Sequence, residues 1–366
     1  VKRMLTLGLC ALAPMVAAVL PSAHAQAAPT AQKSNLSAAN YVVLGKYYYS
    51  NGQYDSAYIS FRNAVDKDAR NAEALLYLGR TQTKLKLYQA AIESLRKLTQ
   101  MDNRNISAYV ALAQAYSAEY AASSDRNLVS GNLDLALKVL QDAENVNPRA
   151  AEVFNERALV YYRKGDVSRA LEASKRAAQL APENSVVLYT LGDLYYRSGN
   201  APAAIETLER AVVADPRDAI TRAFYGKLLM LSGNSREAKL ELAQAVKIAP
   251  RSAYVVGQYG VVLYLSKETA AARANLEKAV QLDPLRYPEF YYYLGRLHLE
   301  AGNAKEARAN LTKAVTLDGG EPQYRYYFGR SLEANGDRGN ARVQYNEAIK
   351  LNPNYKEARD ALDRLK

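Results

Sequence analysis

Apolar and polar positions alternate along this chain in a block best seen between Val186 and Pro216, "VVLYTLGDLYYRSGNAPAAIETLERAVVADP". Apolar residues recur at helical spacing as far as Tyr196, Ser-Gly-Asn interrupts them, and a second helical run stops before Asp-Pro. The pattern predicts two helices joined by a tight turn. Gly199 supplies the left-handed residue that ends the first, and the polar residue after it caps the second. A single hairpin of this kind cannot bury its own apolar face, so it needs neighbours.

The block recurs. A small residue recurs at Gly45, Gly79, Ala113, Ala158, Gly192, Gly226, Gly260, Gly295 and Gly329, preceded by a leucine or an aromatic everywhere but at Ala158, in steps of 34 or 35 except for one of 45. Twelve residues after most anchors stands an alanine, from Ala57 to Ala341, and a proline closes many units, as at Pro182, Pro216 and Pro250. Small residues at such places let two helices cross closely, since a bulky side chain would force the backbones apart. In this register the chain resembles the tetratricopeptide repeat (TPR) family. The resemblance implies an all-α, right-handed superhelical solenoid of nine helical hairpins, with the first helix of each hairpin lining a concave groove.

The expected units are 38–71, 72–105, 106–150, 151–184, 185–218, 219–252, 253–287, 288–321 and 322–355, followed by a charged capping helix over 356–366. Unit three carries an insertion near 119–129, expected as a lengthened first helix plus a loop. Arg157, just after it, stands where leucine usually packs. It is expected either to reach a carboxylate of the insertion such as Asp125 or to be solvated. Unit seven has Lys267 where other units end their first helix with glycine, which predicts a less sharp turn there.

With the anchor as position eight, positions four, seven, eight and eleven share the stripe that meets the partner helix, and five, nine and twelve lie about 100° away. The resemblance places this flank, with positions two, six and thirteen, in the groove. The 29 tyrosines then divide. Tyr41, Tyr48, Tyr109, Tyr116, Tyr161, Tyr195, Tyr225, Tyr259 and Tyr291 fall on the packing stripe. Tyr49, Tyr162, Tyr189, Tyr196, Tyr264, Tyr292 and Tyr326, with Tyr77, Tyr254, Tyr293 and Tyr327, fall on the groove side, where they either contact a ligand or pack between neighbouring first helices. Tyrosine offers a large contact area with two torsions to freeze, which suits recognition of extended ligands. Groove cations include Arg197, Lys227, Arg296 and Arg330, offset in part by acids at position two. Units six and seven are apolar there: Ile220, Met230 and Leu231, then Tyr254, Val261, Tyr264 and Leu265. This patch, flanked by Arg197, Lys227 and Arg296, is the sharpest candidate for a partner site, because contiguous apolar surface marks interaction sites. Burial by tighter curvature, or self-association, is the alternative.

Composition narrows the chemistry. The first 25 residues have Lys2 and Arg3, an apolar run from Met4 to Leu20, and Ala23-His24-Ala25 before Gln26. That is the layout of a secretory signal peptide cleaved between Ala25 and Gln26. Residues 26–37 are small and polar, an expected disordered linker. Cleavage removes Cys10 and His24 and lowers the net charge from +11 to +9, leaving His298 as the one histidine. Cysteine nucleophiles, disulfides and Cys/His metal sites are thereby excluded from the mature chain. His298 falls at packing position eleven, a structural place. With no phosphate loop or nucleophile motif, the sequence points to no enzyme, cofactor or metal. The leading expectation is a scaffold of the cell envelope, periplasmic or outside the cell, that binds an extended peptide or protein in its groove. Binding of an anionic envelope polysaccharide is the second reading. Nucleic acid is a third, disfavoured by the interspersed acids and the leader. The chaperone-tail clamp known in the family is missing, since Val42 and Lys46, then Tyr77, then Ser107 and Ala111 stand at its places.

Overall fold

The computed structural model describes residues 36–365, and every regular element in that span is an α-helix. The chain divides after Ala214 into two compact bodies. The N-terminal body holds α1 (Ala38–Ser50), α2 (Tyr54–Lys67), α3 (Ala72–Lys84), α4 (Tyr88–Met101), α5 (Ile106–Ala122), α6 (Asn132–Val146), α7 (Ala151–Arg163), α8 (Val167–Leu180), α9 (Ser185–Arg197) and α10 (Ala201–Ala214). The C-terminal body holds α11 (Ala219–Leu231), α12 (Ser235–Ile248), α13 (Ala253–Leu265), α14 (Thr269–Leu282), α15 (Pro288–Glu300), α16 (Ala304–Leu317), α17 (Pro322–Ala334), α18 (Arg338–Leu351) and α19 (Lys356–Arg364). The expected leader, its cleavage point at Ala25 and Gln26, and residues 26–35 lie outside the described residues.

Each odd-numbered helix from α1 to α17 packs on the even-numbered helix after it. Within each body, from α1 to α9 and from α11 to α17, consecutive odd-numbered helices also touch, so that α11, α13, α15 and α17 lie side by side. The anchors set this spacing. A Cβ added to Gly295 would sit 2.3 Å from Cγ of Leu311, and one on Gly79 would sit 2.4 Å from Cγ of Leu95. Both leucines are fully buried. Burial of each contributes on the order of 1.5–3 kcal/mol, so the glycines exist to let them in. First helices start on repeated side-chain caps: Asn71 Oδ1 accepts from the Ala74 N–H at 2.9 Å, Asn105 Oδ1 from Ala108 at 3.1 Å, and Asp218 Oδ1 from Thr221 at 3.2 Å. Each satisfies an N–H that the helix itself leaves unpaired.

Two local expectations differ from the structure, at Lys267 and Arg157, while the insertion follows its own. The turn after α13 is as sharp as the others, because Lys267 itself adopts φ 63° and the Glu268 N–H donates to Leu263 O at 2.9 Å. This matches the turn at Gly199, where the Asn200 N–H donates to Tyr195 O at 2.8 Å. Lys86 does the same after α3, a second left-handed lysine that the sequence pattern did not flag. Arg157 does not reach the insertion. It pairs with Glu144 on α6 at 2.7 Å, donates to Leu140 O, and lies over the Phe154 ring at 5.3 Å. The insertion itself extends α5 to 17 residues and closes its loop through Asn132, whose amide donates to Glu119 at 2.7 Å. In α19, Ala358 and Ala361 are fully buried, and the helix lies against α18.

A candidate binding cleft on the C-terminal repeats

The inner helices of the C-terminal body enclose a cleft of about 90 Å³. Lys227, Met230 and Leu231 from α11 form one wall, and Gln258, Val261, Val262 and Leu265 from α13 form its floor. Glu289, Tyr292 and Tyr293 from α15 face them, and Gln323 and Tyr324 of α17 close the end with Glu321. Clefts that enclose a whole small ligand measure roughly 300–1,000 Å³, so this one has the scale of a side-chain pocket. Its mouth is apolar and open: Leu231 is 49% exposed, Leu265 41% exposed, and Met230 and Tyr264 are half-buried. Leaving those side chains in water costs hydrophobic free energy that a partner's apolar side chain would recover.

Polar groups stand at fixed places around this apolar lining. Glu289 accepts from the Gln258 amide and lies 3.6 Å from the Lys227 ammonium, so α11, α13 and α15 are tied together at the cleft. Tyr292 donates to Gln323 Oε1 at 3.3 Å, which adds α17. The Gln258 side chain is buried and oriented by its carboxylate partner. Such held amides suit the hydrogen-bonding groups of a peptide backbone.

Beside the cleft, Arg296 sits among three tyrosine rings. Its guanidinium carbon is 4.7 Å from the Tyr327 centroid, 5.1 Å from Tyr264 and 5.5 Å from Tyr292, and its Nη1 donates to the Tyr292 hydroxyl at 3.1 Å. The rings also pack on one another, with Tyr264–Tyr293, Tyr292–Tyr293 and Tyr292–Tyr327 centroids 5.3, 5.0 and 5.4 Å apart. Burial pushes the Tyr293 hydroxyl up to about 12, and burial raises Tyr264 and Tyr292 as well. All three stay neutral in ordinary buffers and act as hydrogen-bonding groups.

Of the residues expected in the groove, Lys227, Met230, Leu231, Val261, Leu265, Tyr292 and Tyr293 meet in this one cleft. Tyr264 and Arg296 adjoin it. Two of these are less open than the helical register implied, since Tyr292 is 4% exposed and Val261 8%. Tyr292 is wedged between α15 and α17 against Tyr324, 5.0 Å away, and offers a ligand little beyond its hydroxyl edge. Tyr326 is likewise buried, against Tyr345 and Tyr355. Tyr291, assigned to the packing stripe, is only half-buried and donates to Pro284 O at 3.1 Å. Ile220, Tyr254 and Arg330 belong to the same body but do not line the cleft. Tyr254 is half-buried near Tyr287, and Arg330 is exposed.

Tyr189, Tyr196 and Arg197 belong to α9 in the N-terminal body. Arg197 is occupied there: it pairs with Asp193 at 2.6 Å, donates to the Tyr162 hydroxyl at 2.8 Å, and lies over that ring. His298, on α15, does not line the cleft, and burial together with Arg273 lowers its pKa, which leaves it neutral at pH 7. The register could have found Gln258 and Gln323, which stand at groove positions six and two. Val262 and Tyr324, at positions ten and three, carried no such signal.

Models of the tetratricopeptide repeat family match residues 161–220 and 263–327, residues 42–106 and 122–185, and residues 322–355. Residues 221–262, which supply much of the cleft, lie outside these matches. No curated protein matches the chain. Among solved structures, a thermophilic TPR protein of Thermus thermophilus is 34% identical, over 53% of this chain and 100% of its own, with a TM-score of 0.50. The pilF protein of Pseudomonas aeruginosa is 20% identical over 59% of this chain and 98% of its own, with a TM-score of 0.52. Human IFIT1, solved as a dimer with m7Gppp-AAAA, is 17% identical over 91% of this chain and 81% of its own, with a TM-score of 0.58. The last two likenesses concern fold alone.

Proposed function

The chain belongs to the tetratricopeptide repeat family, a family of protein-interaction scaffolds, and from that premise we propose that its C-terminal repeats bind an extended polypeptide. The observation that carries the reading is the open apolar cleft between α11, α13, α15 and α17, with Leu231 and Leu265 at its mouth and held amides in its lining. An anchor side chain enters the cleft, and Gln323 at its end meets a flanking peptide group. The residues of the cleft bind and exclude water. None is arranged as a nucleophile with a base, and the described residues contain no cluster of three His, Cys, Asp or Glu able to hold a metal. No helix among the described residues is long and apolar enough to cross a membrane.

The leader-like pattern over 1–25 supports work in the cell envelope, on the far side of the inner membrane. Two measurements test the proposal. Mature protein is used to recover partners from an envelope fraction, in parallel with Met230→Glu and Leu265→Glu. Loss of the same polypeptide in both variants, with helix content unchanged, supports the cleft. Equal recovery by all three sinks it. Detection of the unprocessed chain in the cytoplasm alone would remove the envelope assignment.

A further inference from the structure

Several cations on the inner helices are neutralised within their own body: Lys46 by Glu73, Arg197 by Asp193 and Lys227 by Glu289. Arg296 and Arg330 are not, and neither takes part in an ion pair among the described residues. The acids nearest Arg296 in register are already engaged. Glu289 holds Lys227 and Gln258, and Glu300 accepts from the Tyr264 hydroxyl. Arg296 keeps its planar faces against tyrosine rings, makes one hydrogen bond to Tyr292, and has a buried Nε without a partner. Arg330 repeats the same position one unit on and is exposed.

A guanidinium that lacks a counter-charge, as both do, is prepared for a carboxylate, which it takes with paired charge-assisted hydrogen bonds, and at Arg296 the rings fix its plane beforehand. We infer that Arg296 and Arg330 read acidic side chains: the polypeptide that occupies the cleft carries an apolar anchor and, beyond it, two Asp or Glu residues three positions apart. This rests on the reading that the cleft binds polypeptide. The anchor and the first acid are neighbours because Tyr292 and Tyr293 line the cleft while Tyr292 also contacts Arg296. The spacing of the acids follows from helix packing. Adjacent inner helices lie about 8–10 Å apart, so guanidiniums repeated at one position are offset by about that distance. In a polyproline II segment, residues i and i+3 share a face and are separated by about 9 Å, at ~3.1 Å per residue. An acidic pair at that interval meets both arginines without bending the chain.

The test is selection of a displayed library of random peptides on the full mature chain, on Arg296→Gln/Arg330→Gln, and on Leu231→Glu. Wild type should enrich peptides with one apolar anchor and two acids at i and i+3. The double-arginine variant should enrich the same anchor without the acids, and Leu231→Glu should enrich neither. The best acidic peptide, labelled and titrated by fluorescence anisotropy, should bind the double variant at least about tenfold more weakly, the scale of a lost charged hydrogen bond. Arg296→Lys should recover only part, because an ammonium has no planar edge. Enrichment by wild type without acids, or an acid bias that survives the double substitution, overturns the inference and leaves the cleft reading standing. If wild type enriches nothing, the cleft reading itself fails. Alginate or a single-stranded oligonucleotide bound more tightly than any selected peptide, and lost on the double substitution, overturns the assignment to polypeptide.

Discussion

Replacing Lys267 by glycine should stabilise the C-terminal body. The lysine holds φ at 63°, where an L-residue is disfavoured by about 1–2 kcal/mol relative to the right-handed region. Its side chain is exposed and makes no ion pair among the described residues, so truncation removes no packing. The hydrogen bond that closes the turn runs from the Glu268 N–H to Leu263 O and survives. Against the relief stands the greater freedom of glycine in the unfolded chain, about 0.5–1 kcal/mol. The net expectation for Lys267→Gly is a gain of about 0.5–1 kcal/mol. With a urea slope on the order of 1–3 kcal/mol per M, that is a rise of a few tenths molar in the midpoint, read by far-UV circular dichroism with the slope unchanged. Lys86→Gly should do the same for the N-terminal body, and Gly302→Lys should lower stability by a similar amount, since Gly302 has φ 76°. A midpoint that stays put or falls in Lys267→Gly, at constant slope, refutes the strain argument.

Gly295→Ala forces a methyl against Leu311 and should cost about 1–3 kcal/mol in the same melt, more than any exposed alanine substitution. Asp218→Ala removes the cap that receives the Ile220 and Thr221 N–H groups and should cost about 1 kcal/mol, with Asp218→Asn restoring most of it. Glu156 is fully buried on α7, and burial raises its pKa despite Arg163 and the hydrogen bond from Gln114. The native state therefore binds that proton more tightly than the unfolded chain does. Stability from this group is present below the ordinary glutamate value, about 4.3, and is lost as pH rises through the raised native value. Glu156→Gln should gain on wild type progressively from about pH 4.3 towards neutrality. A difference that is flat with pH would contradict it.

Much of the repeat pattern was legible because it is written in local terms. Cap residues such as Asn71 and Asp218 and the turn glycines act within a few residues of themselves, and the anchor glycines act on the helix next in the chain, so their spacing exposes the hairpins directly. The left-handed lysines show the limit. Lys267 was read as a loosened turn because composition suggests a preference, while the hydrogen-bonded closure of the loop overrides it at about a kilocalorie. Arg157 failed for another reason: its partner Glu144 lies on the preceding helix, and nothing in linear spacing ranks that acid above Asp125 in the loop. The division after Ala214 was also invisible, since the 34-residue step runs from Gly192 to Gly226 without a break.

For the candidate site, helical periodicity put Met230 and Arg296 on one flank, because angle around a helix is a property of residue number, and the family resemblance added Leu231 and Leu265 and turned that flank to the groove. It could not say how deep each side chain sits on that face. Depth depends on how closely the neighbouring inner helices approach, and that is set by contacts between units: Gly257 admits the Phe290 ring, which a Cβ there would meet at 2.1 Å. Tyr324 of α17 seals Tyr292, Leu231 and Leu265 stay open, and the side-by-side helices carry Tyr264, Tyr292 and Tyr327 from three separate helices around one guanidinium. The sequence by itself determined which residues share the inner surface. Only the tertiary structure decided which of them remain available to a partner, because availability is a property of the gap between helices and not of any one helix.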